Sequence, residues 1–205
     1  MDRGLISHLI NNLQAAPSTE TVANPYHAPG CAANLRAYLQ ALLSLPYSGH
    51  LLVGEALGYR GGALTGIPFT SPRLQRTHPH PFLENLRAAL AVSGDVAEPT
   101  ATMAWSYLET CTAVPACWNV FPFHPHRSGV QASNRAPKAG ELAAGRPFLD
   151  LILEILASHT LVAVGRVAEK ALQRWYPQAH RLAVRHPSHG GKKSFVAGLK
   201  AAGIV

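Results

Sequence analysis

Apolar residues recur along this chain in two alternating rhythms. Residues 3–15 (RGLISHLINNLQA) put Leu5, Ile6, Leu9, Ile10 and Leu13 on one face at helical spacing. Residues 32–45 read as a second helix, closed by Pro46. The pattern then changes: Leu51, Leu52 and Val53 form a short continuous apolar run, which marks a strand buried on both faces of a parallel sheet. Residues 117–123 (CWNVFPF), 160–164 (TLVAV) and 181–185 (RLAVR) give three more strands of this kind. Helices are expected between and after them over 82–92, 102–113, 140–158 with a restart at Pro147, 165–175 and 192–202, while 16–31 reads as a loop.

Short apolar strands alternating with helices imply an α/β fold, a three-layer α/β/α sandwich around a mostly parallel four-stranded sheet. The chain of 205 residues fits one domain, with residues 1–49 as its N-terminal helical part. In such sheets ligands bind in the crevice at the carboxyl ends of the strands. The loops after Val53, Phe123, Val164 and Arg185 share that rim, so Glu55, Asn119, His124 and His186 are expected to converge there although far apart in sequence.

The loop after the first long strand, GEALGYRGGALTGIPFTS, is the richest of these. Gly54, Gly58, Gly61, Gly62 and Gly66 supply backbone able to turn sharply or approach a ligand, and Glu55 places one carboxylate at the strand's end. By itself this admits a nucleotide-phosphate loop. The chain lacks both GxGxxG after its first strand and GxxxxGK[ST], which ranks that reading last.

Composition narrows the partner. Lys and Arg outnumber Asp and Glu 18 to 11, a net charge of +7, and this favours a polyanion such as nucleic acid. With 47% hydrophobic and 14% charged residues the chain is expected to be globular. Three cysteines without CxxC spacing argue for a reducing compartment, and neither a signal peptide nor a run of bilayer-spanning length is visible. A cytosolic, monomeric protein with no membrane partner is expected.

The pairs His78, His80 and His124, His126 invite a metal reading, but zinc needs three or four ligands of fixed geometry. Beside Arg73, Arg76 and Arg127 they read instead as a pH-sensitive part of a DNA-facing surface. Lys192 and Lys193 follow HPSHGG at the expected start of a helix, where backbone amides suit a phosphate and the lysines add a salt-dependent attraction.

Three separated segments, GEALGYRGGALTGIPFTS, NVFPFHPHRSGVQASNRAPKAGE and HPSHGGKKS, occur in an order that resembles the uracil-DNA glycosylase superfamily, especially its iron-sulfur and b-type branches. The resemblance spans roughly residues 50 to 205 and implies a monofunctional glycosylase acting on uracil or a related deaminated base in DNA. It implies that Gly54, Glu55 and Ala56 line a base pocket, that Phe69 stacks on the flipped base, and that Asn119 reads its edge. His186 would donate to the uracil O2 as negative charge builds there, while Ser188 and its loop grip DNA phosphate; Lys192, Lys193 and Arg127 are expected to add DNA contacts by their charge. Phe123 and His124 stand where iron-sulfur members carry a cluster cysteine, so no metal, cluster or redox cofactor is expected. Leu57, where the family usually has Pro, and the absence of an Asp at the third motif position keep open a non-catalytic, damage-binding relative of the same fold.

Overall fold

A computed structural model describes residues 3–187 and 190–204. In chain order the elements are α1 Arg3–Ala15, β1 Val22–Ala23, a 3-10 turn Pro25–His27, α2 Pro29–Ser44, β2 Tyr47–Gly54, α3 Gly62–Thr65, α4 Pro72–Thr77, α5 Pro81–Arg87 and α6 Pro99–Leu108. They continue with β3 Val114–Asn119, β4 His124–Pro125, α7 Ala139–Leu156, β5 Thr160–Val164, α8 Arg166–Trp175, β6 Arg181–Val184 and α9 Lys192–Ala201. The chain is an α/β fold whose central sheet has the order β3-β2-β5-β6, with every neighbouring pair parallel and helices flanking it. A small antiparallel pair, β1 with β4, lies apart from it.

The central position of β2 and β5 explains their composition: Leu51, Leu52, Val53 and Val162 have no exposed surface, because a strand covered on both faces has no polar side to present. At the edge, β6 keeps Ala183 exposed and only Val184 buried. The connection from β2 runs to β3 on one side, and the chain then crosses back over β2 to β5 on the other. That reversal makes the carboxyl end of β2 the switch point of the sheet, where a crevice opens between diverging connections. Gly54 is the register partner of Asn119 there, and Val164 that of Val184.

Three expectations change. The strand expected over 117–123 lies at Val114–Asn119, so Asn119 ends the strand. Pro115 is tolerated because β3 is an edge strand and has a side on which no ladder donor is required. The chain after it still follows β2, with Val120 N–H donating to Gly54 O at 2.9 Å and Phe121 N–H to Glu55 O at 3.0 Å, but turns to pack Phe121 and Phe123 together and Phe123 on Phe148 and Tyr26. Helix α7 does not restart at Pro147 but runs through it. A proline inside a helix costs about 3 kcal/mol, while Leu149, Ile152 and Leu156, all buried on the face that continues past it, each contribute about 1.5–3 kcal/mol. Finally, residues 16–31 hold β1, the 3-10 turn and the start of α2. Asn24 organises that segment, its side chain accepting from Tyr26 N–H at 2.9 Å and donating to Leu13 O and Ala16 O at 2.7 Å.

Candidate active site

The crevice at the switch point is a cleft of about 420 Å³ whose walls include Gly54, Glu55, Ala56, Phe69, Asn119 and His186. Three segments far apart in sequence therefore meet in one place. Gly54 shows how tightly: a Cβ built there would lie 2.5 Å from Asn119 Oδ1 and 2.8 Å from Phe69 Cζ. Only a residue without a side chain lets the amide and the aromatic ring close over the end of β2. His186 enters from the end of β6 and packs beside the Gly165 turn, where an added Cβ would meet its own Cβ at 3.3 Å.

Phe69 is held in an unusual backbone state, φ 56°, which a bulky residue adopts at a cost of roughly 1–3 kcal/mol. The surroundings enforce it. Trp105 on α6 donates its indole N–H to Phe69 O at 3.1 Å. On the inner side Thr65, Thr70 and Gln75 form a buried chain: the two hydroxyls lie 2.8 Å apart, Thr70 Oγ1 donates to Ile67 O at 2.8 Å, and Gln75 Nε2 donates to Thr70 Oγ1 at 3.0 Å. Asn34 donates to Thr65 O at 2.9 Å and Tyr26 to Gly66 O at 3.1 Å, tying the loop to the N-terminal helices.

Glu55 is half-buried, and burial raises its carboxyl above the ordinary range. A second acid, Glu98, lines the same cleft from the start of α6. No strand-end pattern marks it in the sequence; its only local signal is the Glu-Pro that opens a helix. Asn134 and Arg135 line the cleft as well. Asn134 Oδ1 accepts from Tyr59 N–H at 3.1 Å. Arg135 forms a two-pronged pair with Glu141 at 2.6 and 2.7 Å, and that contact, chiefly by hydrogen bonding, holds the Glu141 carboxyl below its usual range. Arg135 also donates to Thr21 O and His126 O, so it is a strut of the wall.

Lys192 and Lys193 are exposed at the start of α9, with Lys192 Nζ 5.7 Å from the centre of the Tyr107 ring. Arg127 is exposed on the turn after β4 and is not part of the cleft wall. Ser188 lies outside the described residues. The histidine pairs do not form the surface expected of them. His80, His124 and His126 are buried and bound to backbone: His80 Nδ1 accepts from Phe82 N–H while Nε2 meets Cys111 O at 2.9 Å, and His124 sits between Leu57 O at 2.8 Å and Gln131 O at 3.0 Å. The Cys111, Leu57 and Gln131 partners lie 31, 67 and 7 residues away, so these histidines fasten loops together. Arg73 pairs with Asp95 across the surface instead of standing free. Among the described residues no group of three or more His, Cys, Asp or Glu is placed to hold a metal ion.

The model of the Uracil DNA glycosylase superfamily matches residues 45–195. The chain belongs to that superfamily. Wild-type SMUG2 of Pedobacter heparinus has a similar structure, with a TM-score of 0.68 at 18% identity, covering 98% of this chain and 99% of that one, a likeness of fold. A point mutant of UNG from Nitratifractor salsuginis covers 97% of this chain and 98% of its own at 14% identity, with a TM-score of 0.44. No curated protein sequence matches. The superfamily match takes in β2 through the start of α9 and so every element that supplies a wall to the cleft. Among the described residues no helix is long and apolar enough to cross a membrane.

Proposed function

We propose that this superfamily member is a DNA glycosylase that hydrolyses the N-glycosidic bond of uracil or a related deaminated base and leaves an abasic site. The observation that carries the reading is the convergence on Gly54: the Phe69 ring and the Asn119 amide close over one glycine, and His186 borders the same cleft. An aromatic face, an amide and an imidazole are the parts needed to receive a base turned out of the stack. Unstacking costs a few kcal/mol, and the ring of Phe69 returns part of it.

In this reading the Asn119 side chain, whose amide has both a donor and an acceptor, pairs with the N–H and carbonyl edge of the base. As the C1′–N bond lengthens, negative charge collects on the base and His186 donates to its O2 oxygen. A donor aimed at developing charge is worth on the order of 10²–10³ in rate. Glu55 at the strand end orients water toward the sugar, and the raised affinity of its carboxyl for protons strengthens it as an acceptor. Lys192, Lys193 and Arg127, with Ser188, contribute DNA contacts outside the pocket. The chain works as one domain, monomeric and without a metal or redox cofactor; the core running from Ile6 to Ile204 supports a single folding unit.

The test is incubation with oligonucleotides carrying uracil, hypoxanthine or xanthine, followed by alkali. Strand breaks at the altered base are expected, with many turnovers per enzyme. His186→Ala is expected to slow single-turnover cleavage by about 10²–10³ while changing DNA affinity far less. Tight binding without released base would favour the damage-binding relative instead, and no break with any of the three bases would overturn the catalytic reading.

A further inference from the structure

The glycine loop after β2 packs at Gly61 against a residue that lies outside all three motifs, Glu98. A Cβ at Gly61 would lie 2.7 Å from Thr70 O and 2.9 Å from Glu98 Cγ, while one at Gly58 would stand in ordinary contact with Asn134 and, at 3.9 Å, with Glu98 Oε1. Glu98 is the N-cap of α6, with Oε2 accepting the Ala101 N–H at 2.9 Å. Capping needs one oxygen, and the shorter Ser, Asp or Asn is the usual choice. The longer glutamate instead extends into the cleft wall shared with Glu55, Asn119 and His186, its carboxylate fixed by the cap.

The start of α6 favours an ionised carboxylate at this position, and positive charge forming in the cleft favours it further. An ionised carboxylate in a cleft that admits DNA repels phosphate, and burial further disfavours its charge, raising the carboxyl above its ordinary range against the opposing bonds from Ala101 and Thr100. Glycosidic cleavage supplies such charge on the sugar and sheds a proton from the attacking water.

We propose that Glu98 is a second catalytic carboxylate of this cleft, acting together with Glu55 on the attacking water and the cationic sugar. The inference rests on the glycosylase reading above. The water oxygen bonds to C1′ while the C1′–N bond breaks and its electron pair departs with the base. Glu55 accepts a hydrogen bond from the water, and Glu98 takes the proton that the water loses, releasing it to solvent after the base has left.

Glu98→Gln tests this, because glutamine keeps an oxygen for the Ala101 N–H but cannot take a proton. Single-turnover cleavage, affinity for abasic-site DNA and thermal melting are measured on the same protein. The rate is expected to fall by about 10²-fold, with melting retained and affinity for abasic DNA kept or tightened as a negative charge leaves the cleft. Glu98→Asp, which keeps cap and charge but is one methylene shorter, is expected to be slow as well. Cleavage by Glu98→Gln at the parent rate overturns the proposal. So does a loss of rate that only follows losses of melting temperature and DNA affinity, as a cap alone would produce. Release of no base by the parent protein would instead overturn the glycosylase reading itself, and this proposal with it.

Discussion

The loop that follows β2 and the segment that follows β6 border the same cleft, yet they are built by different physics. Between Glu55 and Ser71 the chain is fastened from several sides: Tyr26, Asn34, Thr65, Thr70, Gln75 and Trp105 all direct side-chain bonds at or within it. Past His186 the described residues instead present charge, with Lys192 and Lys193 exposed at the head of α9. The first arrangement suits a pocket that must hold ring and amide within a fraction of an ångström, since preorganised groups need no rearrangement during reaction. The second suits a polymer backbone of uniform charge, where attraction matters more than exact placement.

Gly54→Ala disturbs the rigid side most. The new Cβ, less than 3 Å from Asn119 Oδ1 and Phe69 Cζ, pushes aside the two side chains assigned to the base while leaving the strand in place. A displacement near 1 Å can cost about 10²-fold in rate, so single-turnover cleavage should fall by that order while circular dichroism stays native. Retained activity would show that the closure over Gly54 is incidental.

Trp105→Phe probes the same side with a smaller effect. The ring contacts with His78, His80 and Phe82 can persist, but Phe69 O loses its donor. A stability loss of about 1–2 kcal/mol is expected, together with roughly tenfold slower cleavage if a similar energy is lost from the positioning of Phe69. Chemical denaturation and single-turnover kinetics on one preparation separate the two.

On the charged side, Lys192→Ala with Lys193→Ala should weaken DNA binding evenly across sequences. The slope of log affinity against log salt should become shallower by about 1 for each lysine that contacts phosphate. An unchanged slope would remove this segment from the DNA interface.

Much of this division was visible in the chain. The boundaries of α1 and β5 follow directly from apolar spacing, and the three segments that resemble the superfamily supply Gly54, Phe69, Asn119 and His186, which line one cleft. What escaped sequence reading depends on long-range pairing. Glu98 packs beside the cleft where Gly61, far upstream in the chain, has no side chain to meet its Cγ. Trp105 looks like an ordinary core aromatic until its indole finds Phe69 O. The His-x-His pairs near arginines suggested a surface, whereas His80, His124 and His126 are turned inward by backbone carbonyls that no local pattern announces. Pro115 hid the first half of β3, since an edge position is a property of the sheet and not of the segment.

Whether the end of β2 is the floor of a base pocket is decided by a crystal structure of the protein with free uracil. The ring is expected to stack on Phe69, with its N–H and carbonyl edge paired with the Asn119 side chain and O2 within hydrogen-bond reach of His186. Uracil bound elsewhere, or absent from the cleft at saturating concentration while Phe69 and Asn119 keep their positions, would refute the assignment.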